Sequence, residues 1–94
     1  MAALSGHKTI TTAGTALQLS SDQSIGTSLM VKALTTNTGL VYIGNDGAGD
    51  VSSSNGMPLS PGDALILTFV GNLSQVWLDS AVNGEGCAWL VLNL

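Results

Sequence analysis

Apolar and polar residues alternate with a period of two through most of the chain. In Ser28–Thr35 the side chains of Leu29, Val31 and Ala33 share one face, and Lys32 lies on the other. Similar short segments are His7–Thr12, Thr15–Ser20, Leu40–Gly44, Asp63–Val70, Gln75–Ser80 and Cys87–Leu94. No segment has a sustained helical period. The pattern predicts an all-β fold of one domain over residues 1–94: a small, jelly-roll-like antiparallel β-sandwich of seven to eight short strands.

The links between these segments predict which strands are neighbours. Ala13-Gly14 joins the first two segments and indicates a hairpin, and Asn83-Gly84 indicates a second hairpin between the last two. Asp63–Val70 is apolar on both faces, with Leu65 and Leu67 on one and Ile66 on the other, which predicts a central strand covered on both sides.

Residues Gly44–Asp63 hold five of the twelve glycines, both prolines and three of the six acidic residues. Pro61-Gly62 predicts a type II turn that leads into the next strand. Asn45–Gly56 predicts an exposed loop at one end of the sandwich, where contact with a partner is favoured. The candidate interface residues in this loop are Ala48, Asp50, Val51 and Ser52.

Residues 1–12 form the second candidate contact segment. They predict either an arm that becomes ordered on docking or an edge strand, and a frayed terminus is the alternative. The candidate interface residues here are His7, Lys8 and Thr9.

The charge content indicates a covered surface. Only 9% of the 94 residues are Asp, Glu, Lys or Arg, against roughly 25% in a typical soluble domain. Because charged residues are depleted at the centre of interfaces, we expect the chain to assemble with copies of itself or with a larger structure. The net charge is −4 and Lys8 and Lys32 are the only basic residues, so neither nucleic acid nor an anionic membrane surface is an expected partner.

Catalytic chemistry is not expected. His7 and Cys87 are the only residues of their kinds, and Cys87 lies in an apolar segment that predicts a buried, inert thiol. A His7–Cys87 pair has no further residue to support it. Every acidic residue except Asp79 lies in a predicted turn, where Asp is favoured for turn formation alone. We therefore predict no enzyme and no cofactor.

Metal and sugar binding were weighed as alternatives. Asn45–Asp50 resembles an acidic calcium loop, but the EF-hand spacing is absent, and a solvated loop is favoured over a cation shared by copies of Asp46 or Asp50. Tyr42, Trp77 and Trp89 have the ring chemistry of a sugar platform, although their apolar neighbours favour core or subunit packing.

Several short sequence motifs follow one another in an order that resembles a known family. VKALTTNTGLVYIGN, then SSNGMPLSPGDALIL, then NLSQVWLDSAVNGEGCAWLVL resemble small β-sandwich virion proteins of tailed bacteriophages, of the capsid decoration or cement type. The resemblance covers about two thirds of the chain from Val31 onward. It implies a structural protein on the capsid surface, assembled in the host cytoplasm, a homotrimer, and the major capsid protein as partner. A receptor- or glycan-binding module of a head or tail fibre is the alternative.

Overall fold

A computed structural model describes residues 4–26, 28–68 and 70–92. Its described residues form eight strands, which are β1 (Ser5–Thr9), β2 (Leu17–Gln18), β3 (Ser28–Ala33), β4 (Val41–Gly44), β5 (Met57–Leu59), β6 (Ala64–Thr68), β7 (Trp77–Ser80) and β8 (Gly86–Val91). Two short 3₁₀ turns, Ala48–Asp50 and Leu73–Gln75, complete the regular structure. No helix in these ranges is long and apolar enough to span a bilayer.

The strands form two four-stranded sheets, and all pairs are antiparallel. Sheet one has the order β1-β8-β3-β6 and sheet two the order β2-β7-β4-β5. Of the described strands, only β4 and β5 are consecutive members of one sheet, and every other connection crosses to the opposite sheet. This is the strand order of a jelly roll, which confirms the predicted small all-β sandwich.

Both predicted hairpins are wrong in their pairing. β1 pairs with β8 and β2 with β7, so Ala13-Gly14 leads the chain from one sheet to the other. Asn83-Gly84 does the same between β7 and β8, although Gly84 has the positive φ of 82° that the dipeptide predicts. The two turns are neighbours, because the amide of Ala13 donates to Asn83 Oδ1 at 2.7 Å.

The segment expected at the centre of a sheet lies at its edge. β6 is the outermost strand of sheet one and pairs only with β3. Leu65 and Leu67 face inward, and Ile66 on the outer face is 53% exposed. The predicted turn before β6 is present: Gly62 has a φ of 87°, and the Asp63 amide donates to Ser60 O at 2.9 Å.

The core lies between the two sheets. As the alternation predicts, Leu29, Val31 and Ala33 of β3 are fully buried and Lys32 is exposed. Buried residues of both sheets and of the links between them complete the core: Ile10, Leu19, Val41, Ile43, Leu59, Leu73, Val76, Leu78, Cys87 and Val91.

β1 can lie against β8 because Gly86 has no side chain. A Cβ at Gly86 would overlap the backbone oxygen of Lys8 and lie 2.7 Å from Thr9 Cα. The side chain of Asn37 also binds Gly86, donating from Nδ2 to its carbonyl at 2.7 Å and accepting from its amide at 3.3 Å. Gly86 therefore holds both β1 and the link after β3 against β8.

We expect Gly86→Ala to destabilise the fold by about 1–3 kcal/mol, because the added methyl meets backbone atoms that no rotamer change can move. Urea unfolding would measure the loss. Gly49→Ala is the matched control, since a Cβ there meets nothing within 4 Å. Equal stability of the two variants would contradict the proposed close approach.

Glu85 binds the link between β3 and β4. Its carboxylate accepts from the Thr38 amide at 2.7 Å, the Thr38 hydroxyl at 2.8 Å and the Gly39 amide at 3.0 Å. Desolvation raises the pKa of Glu85, but these hydrogen bonds together outweigh it and hold the pKa below its ordinary value of 4.5.

A lowered pKa makes the contribution of Glu85 to stability depend on pH. The contribution is complete above the ordinary value of 4.5 and is lost as the pH falls through the lower folded-state pKa. We expect Glu85→Gln to be less stable than wild type at neutral pH, with a difference that shrinks in acid. Measuring the free energy of unfolding of both proteins from neutral pH into acid tests this expectation, with Asp46→Asn as an exposed control. A difference independent of pH would contradict the assignment.

Candidate functional site

The candidate residues of the N-terminal segment lie on an edge strand. Residues Ser5–Thr9 pair with β8 along their whole length, so this part of the segment is a strand rather than a free arm. His7 and Thr9 are exposed on the outer face of sheet one. Lys8 is partly buried on the inner side at the sheet edge, which makes it less accessible than predicted. Residues 1–3 of the predicted arm lie outside the described residues.

The candidate residues of the loop differ in exposure. Ala48 is exposed, and Asp50 and Ser52 are half-buried. Val51 is only 3% exposed, which corrects its assignment as a contact residue. Its side chain packs over Gly44, where a Cβ would overlap Val51 Cγ2 and lie 2.8 Å from Asp50 Oδ2. The loop is therefore fastened to the outer face of sheet two by Val51, whereas β1 belongs to sheet one.

The outer face of sheet one carries a row of apolar side chains. Met30 of β3 lies opposite Ile66 of β6 on one side and Leu90 of β8 on the other. Ile66 is 53% exposed and Leu90 is 41% exposed. We call Ile66, Met30 and Leu90 the apolar row. Sequence reasoning missed this surface, because it placed Ile66 in a covered strand.

The next row on this face contains one Lys and one His. Lys32 lies between Ala64 and Ala88, and His7 follows beyond Ala88. Neither row contains an acidic residue. The outer face of sheet one thus combines an apolar row with one Lys, in a chain whose net charge is −4.

The outer face of sheet two contains an open cavity. Tyr42 of β4 and Asp79 of β7 are cross-strand neighbours on this face, since Val41 and Ile43 point into the core. A cavity of about 340 Å³ lies beside them. Its lining residues are Ala13, Gly14, Tyr42, Ser52, Ser53, Asp79, Ser80 and Ala81. The β1–β2 link and the β4–β5 loop thus form walls of the cavity.

Asp79 is buried and held from one side. It is 2% exposed, and its Oδ1 accepts from the Gly14 amide at 3.0 Å and from the Ser80 amide at 2.8 Å. Its Oδ2 has no hydrogen-bond partner in the described part of the chain. The residue was singled out in the sequence only as the acidic residue outside the predicted turns; its pairing with Tyr42 depends on register that the sequence does not contain.

Tyr42, Trp77 and Trp89 do not form one sugar platform. Trp89 faces the interior of sheet one under Gly6, where an added Cβ would lie 2.7 Å from Trp89 Cζ2. Tyr42 and Trp77 lie on the outer face of sheet two and outside the core cluster, although Tyr42 is only 8% exposed. Packing of these two rings against another subunit stays a prediction. Trp77 lines a separate groove with Asn45, Asp46, Gly47, Ser74 and Gln75.

The structure separates the two residues of the conceivable nucleophile pair. Cys87 faces the core and is fully buried, whereas His7 lies on the outer face of the same sheet. Burial raises the pKa of the Cys87 thiol to about 12, so the reactive thiolate is not formed at neutral pH. The buried thiol agrees with the sequence-based expectation.

Metal-binding groups are not clustered in the described ranges. No group of three or more His, Cys, Asp or Glu side chains there is placed to hold a metal ion. Asp50 of the acidic loop instead accepts a hydrogen bond from the Asn45 amide at 3.2 Å, an ordinary turn interaction.

Comparison with known proteins gives no relative. No family model, no curated protein and no solved structure matches the chain. The resemblance to phage virion proteins therefore stays a prediction.

We expect Val51→Ala to cost about 1–2 kcal/mol of stability, because it removes two buried methyl groups. The loop should also open, with faster amide exchange at Asn45 and Asn55. Ala48→Ser, at an exposed position of the same loop, is the control. A Val51→Ala protein as stable and as protected as the control would show that Val51 does not fasten the loop.

Proposed function

We propose that the chain is a non-enzymatic capsid decoration or cement protein, which docks on the outside of a tailed-phage head and bridges capsid subunits. The observation that carries the proposal is the exposed apolar row on the outer face of sheet one, with Ile66 53% and Leu90 41% exposed. Apolar side chains left side by side on a soluble protein favour a protein partner. The major capsid protein is the partner proposed.

The geometry supports docking through many small contacts. The apolar row crosses three neighbouring strands, so its backbone is already ordered by strand pairing and little backbone entropy is lost on binding. One such face is small, and its affinity for a single site is expected to be modest. A homotrimer would present three faces to one shell, where linked contacts add through avidity.

Charge also supports this orientation. Lys32 lies on the docking face, while the acidic loop residues Asp46 and Asp50 lie on the side of sheet two. With sheet one toward the shell, Lys32 would face the shell, and Asp46 and Asp50 would face solvent. Surface charge of one sign directs encounter more than it adds affinity.

The docking face is tested with purified protein and empty heads of the same phage. Wild-type protein should co-sediment with the heads and raise their melting temperature. Ile66→Ser and Leu90→Ser should each weaken binding about tenfold, as expected when a contact at the centre of an interface is truncated. Both variants should stay folded, because the side chains are exposed.

Met57→Ser is the matched control, since Met57 is also 53% exposed but lies on β5 of sheet two. It should bind heads as well as wild type does. Equal binding by all three variants would contradict the docking face. Sedimentation equilibrium tests the trimer against the 9.5 kDa monomer.

The alternative function is a receptor- or glycan-binding module of a head or tail fibre. The cavity beside Tyr42 and Asp79 is the observation that favours it. Absence of binding to heads, together with binding to host cells, would replace the cement proposal by this one.

A further inference from the structure

Two polar groups at the cavity on sheet two lack hydrogen-bond partners in the part of the chain that the structure describes. Asp79 and Tyr42 are 2% and 8% exposed, and neither Asp79 Oδ2 nor the Tyr42 hydroxyl has a hydrogen-bond partner among the described residues. Among these residues the only fully enclosed side-chain polar atom without a partner is Trp89 Nε1. Both oxygens therefore retain contact with solvent, and the cavity that both residues line provides it.

The carboxylate of Asp79 is fixed in place before any ligand arrives. The amides of Gly14 and Ser80 both donate to Oδ1, and these bonds orient the carboxylate so that Oδ2 is left as a free acceptor. A buried, charged acceptor held in this way forms stronger hydrogen bonds than a neutral one. The cavity therefore favours a ligand that brings hydroxyl or other donor groups to Oδ2.

The other lining groups narrow the ligand class. Tyr42 supplies an aromatic ring and a hydroxyl, and Ser53 of the β4–β5 loop supplies a further hydroxyl. No Lys, Arg or His is among the lining residues, so an anionic ligand would meet the Asp79 charge without compensation. One carboxylate is also too few for Ca²⁺, which takes six to eight oxygens, commonly including several carboxylates.

We propose that this cavity binds a neutral sugar, with Asp79 Oδ2 accepting from ring hydroxyls and Tyr42 contacting the ring. Its volume of about 340 Å³ falls within the roughly 300–1,000 Å³ of small-molecule sites. The site does not depend on the proposed docking role, because it lies on the opposite sheet from the apolar row. A decoration protein docked through sheet one would keep this site open to the outside.

Amide NMR of the folded chain tests the proposal. The probes are D-glucose, D-galactose, D-mannose and N-acetyl-D-glucosamine, each as the free sugar and as its methyl glycoside. At least one should give saturable shifts at the Gly14 and Ser80 amides, which donate to Asp79. Preference for the glycoside would indicate the end of a glycan chain, and preference for the free sugar a soluble ligand. No saturable shift with any probe overturns the proposal.

Substitutions of Asp79 and Tyr42 then test whether these two residues contact the sugar. Asp79→Asn keeps an acceptor for Gly14 and Ser80 but replaces the free acceptor by a donor, and it should weaken binding about tenfold or more. Tyr42→Phe keeps the ring and removes only the hydroxyl, and it should weaken binding roughly fivefold. If Asp79→Asn does not fold, Tyr42→Phe alone decides. Undiminished sugar binding by a folded Asp79→Asn, or by Tyr42→Phe where it alone decides, overturns the assignment.

Ile66→Ser serves as the control that separates the two proposals. It should bind sugar as wild type does while losing affinity for heads, and Asp79→Asn should do the reverse. Loss of sugar binding in Ile66→Ser would show that the shifts do not report on this cavity.

Discussion

The close approach of β1 to β8 at Gly86 is the constraint on which the rest of the sandwich depends. The backbone of Lys8 and Thr9 takes the space of a side chain at this position, and Asn37 binds both backbone polar groups of the same residue. The first strand, the link after β3 and the last strand are thus joined at one point. With β8 held between β1 and β3, the inward and outward faces of sheet one are set, and the apolar row follows from them.

Period-two alternation predicted the strands and the inward face of β3, because it reports burial on one side of a sheet. It could not predict which strands pair. Ala13-Gly14 and Asn83-Gly84 do turn the chain. The strand after each turn pairs with strands that are distant in the sequence, so both turns lead to the other sheet. Ile66 was misplaced for a related reason: an apolar residue on an outer face gives the same signal as one in a covered strand.

The outer faces of the two sheets differ in their side chains, and only part of this difference could be predicted from the sequence. The low charge content predicts a contact surface, whereas the apolar row, the candidate for it, is seen only from the register of β3, β6 and β8. Asp79 was distinguishable as the acidic residue inside a strand, and Ser80 follows it directly. Its neighbour Tyr42 and the backbone donor at Gly14 come from two distant parts of the chain. The loop between β4 and β5 looked like a free surface in the sequence; Val51 makes it a wall of the cavity.

The pairing of the outermost segments has a topological consequence. Ser5 lies opposite Leu90, so the chain enters and leaves the described fold side by side at one end of sheet one. Pairing in the sheet, rather than the order of the chain, holds the first and last strands together. A circular permutant, with a short linker joining these two points and new termini in an exposed loop, would therefore keep every strand pair. For the same reason, a segment added before Ser5 would lie next to one added after Val91.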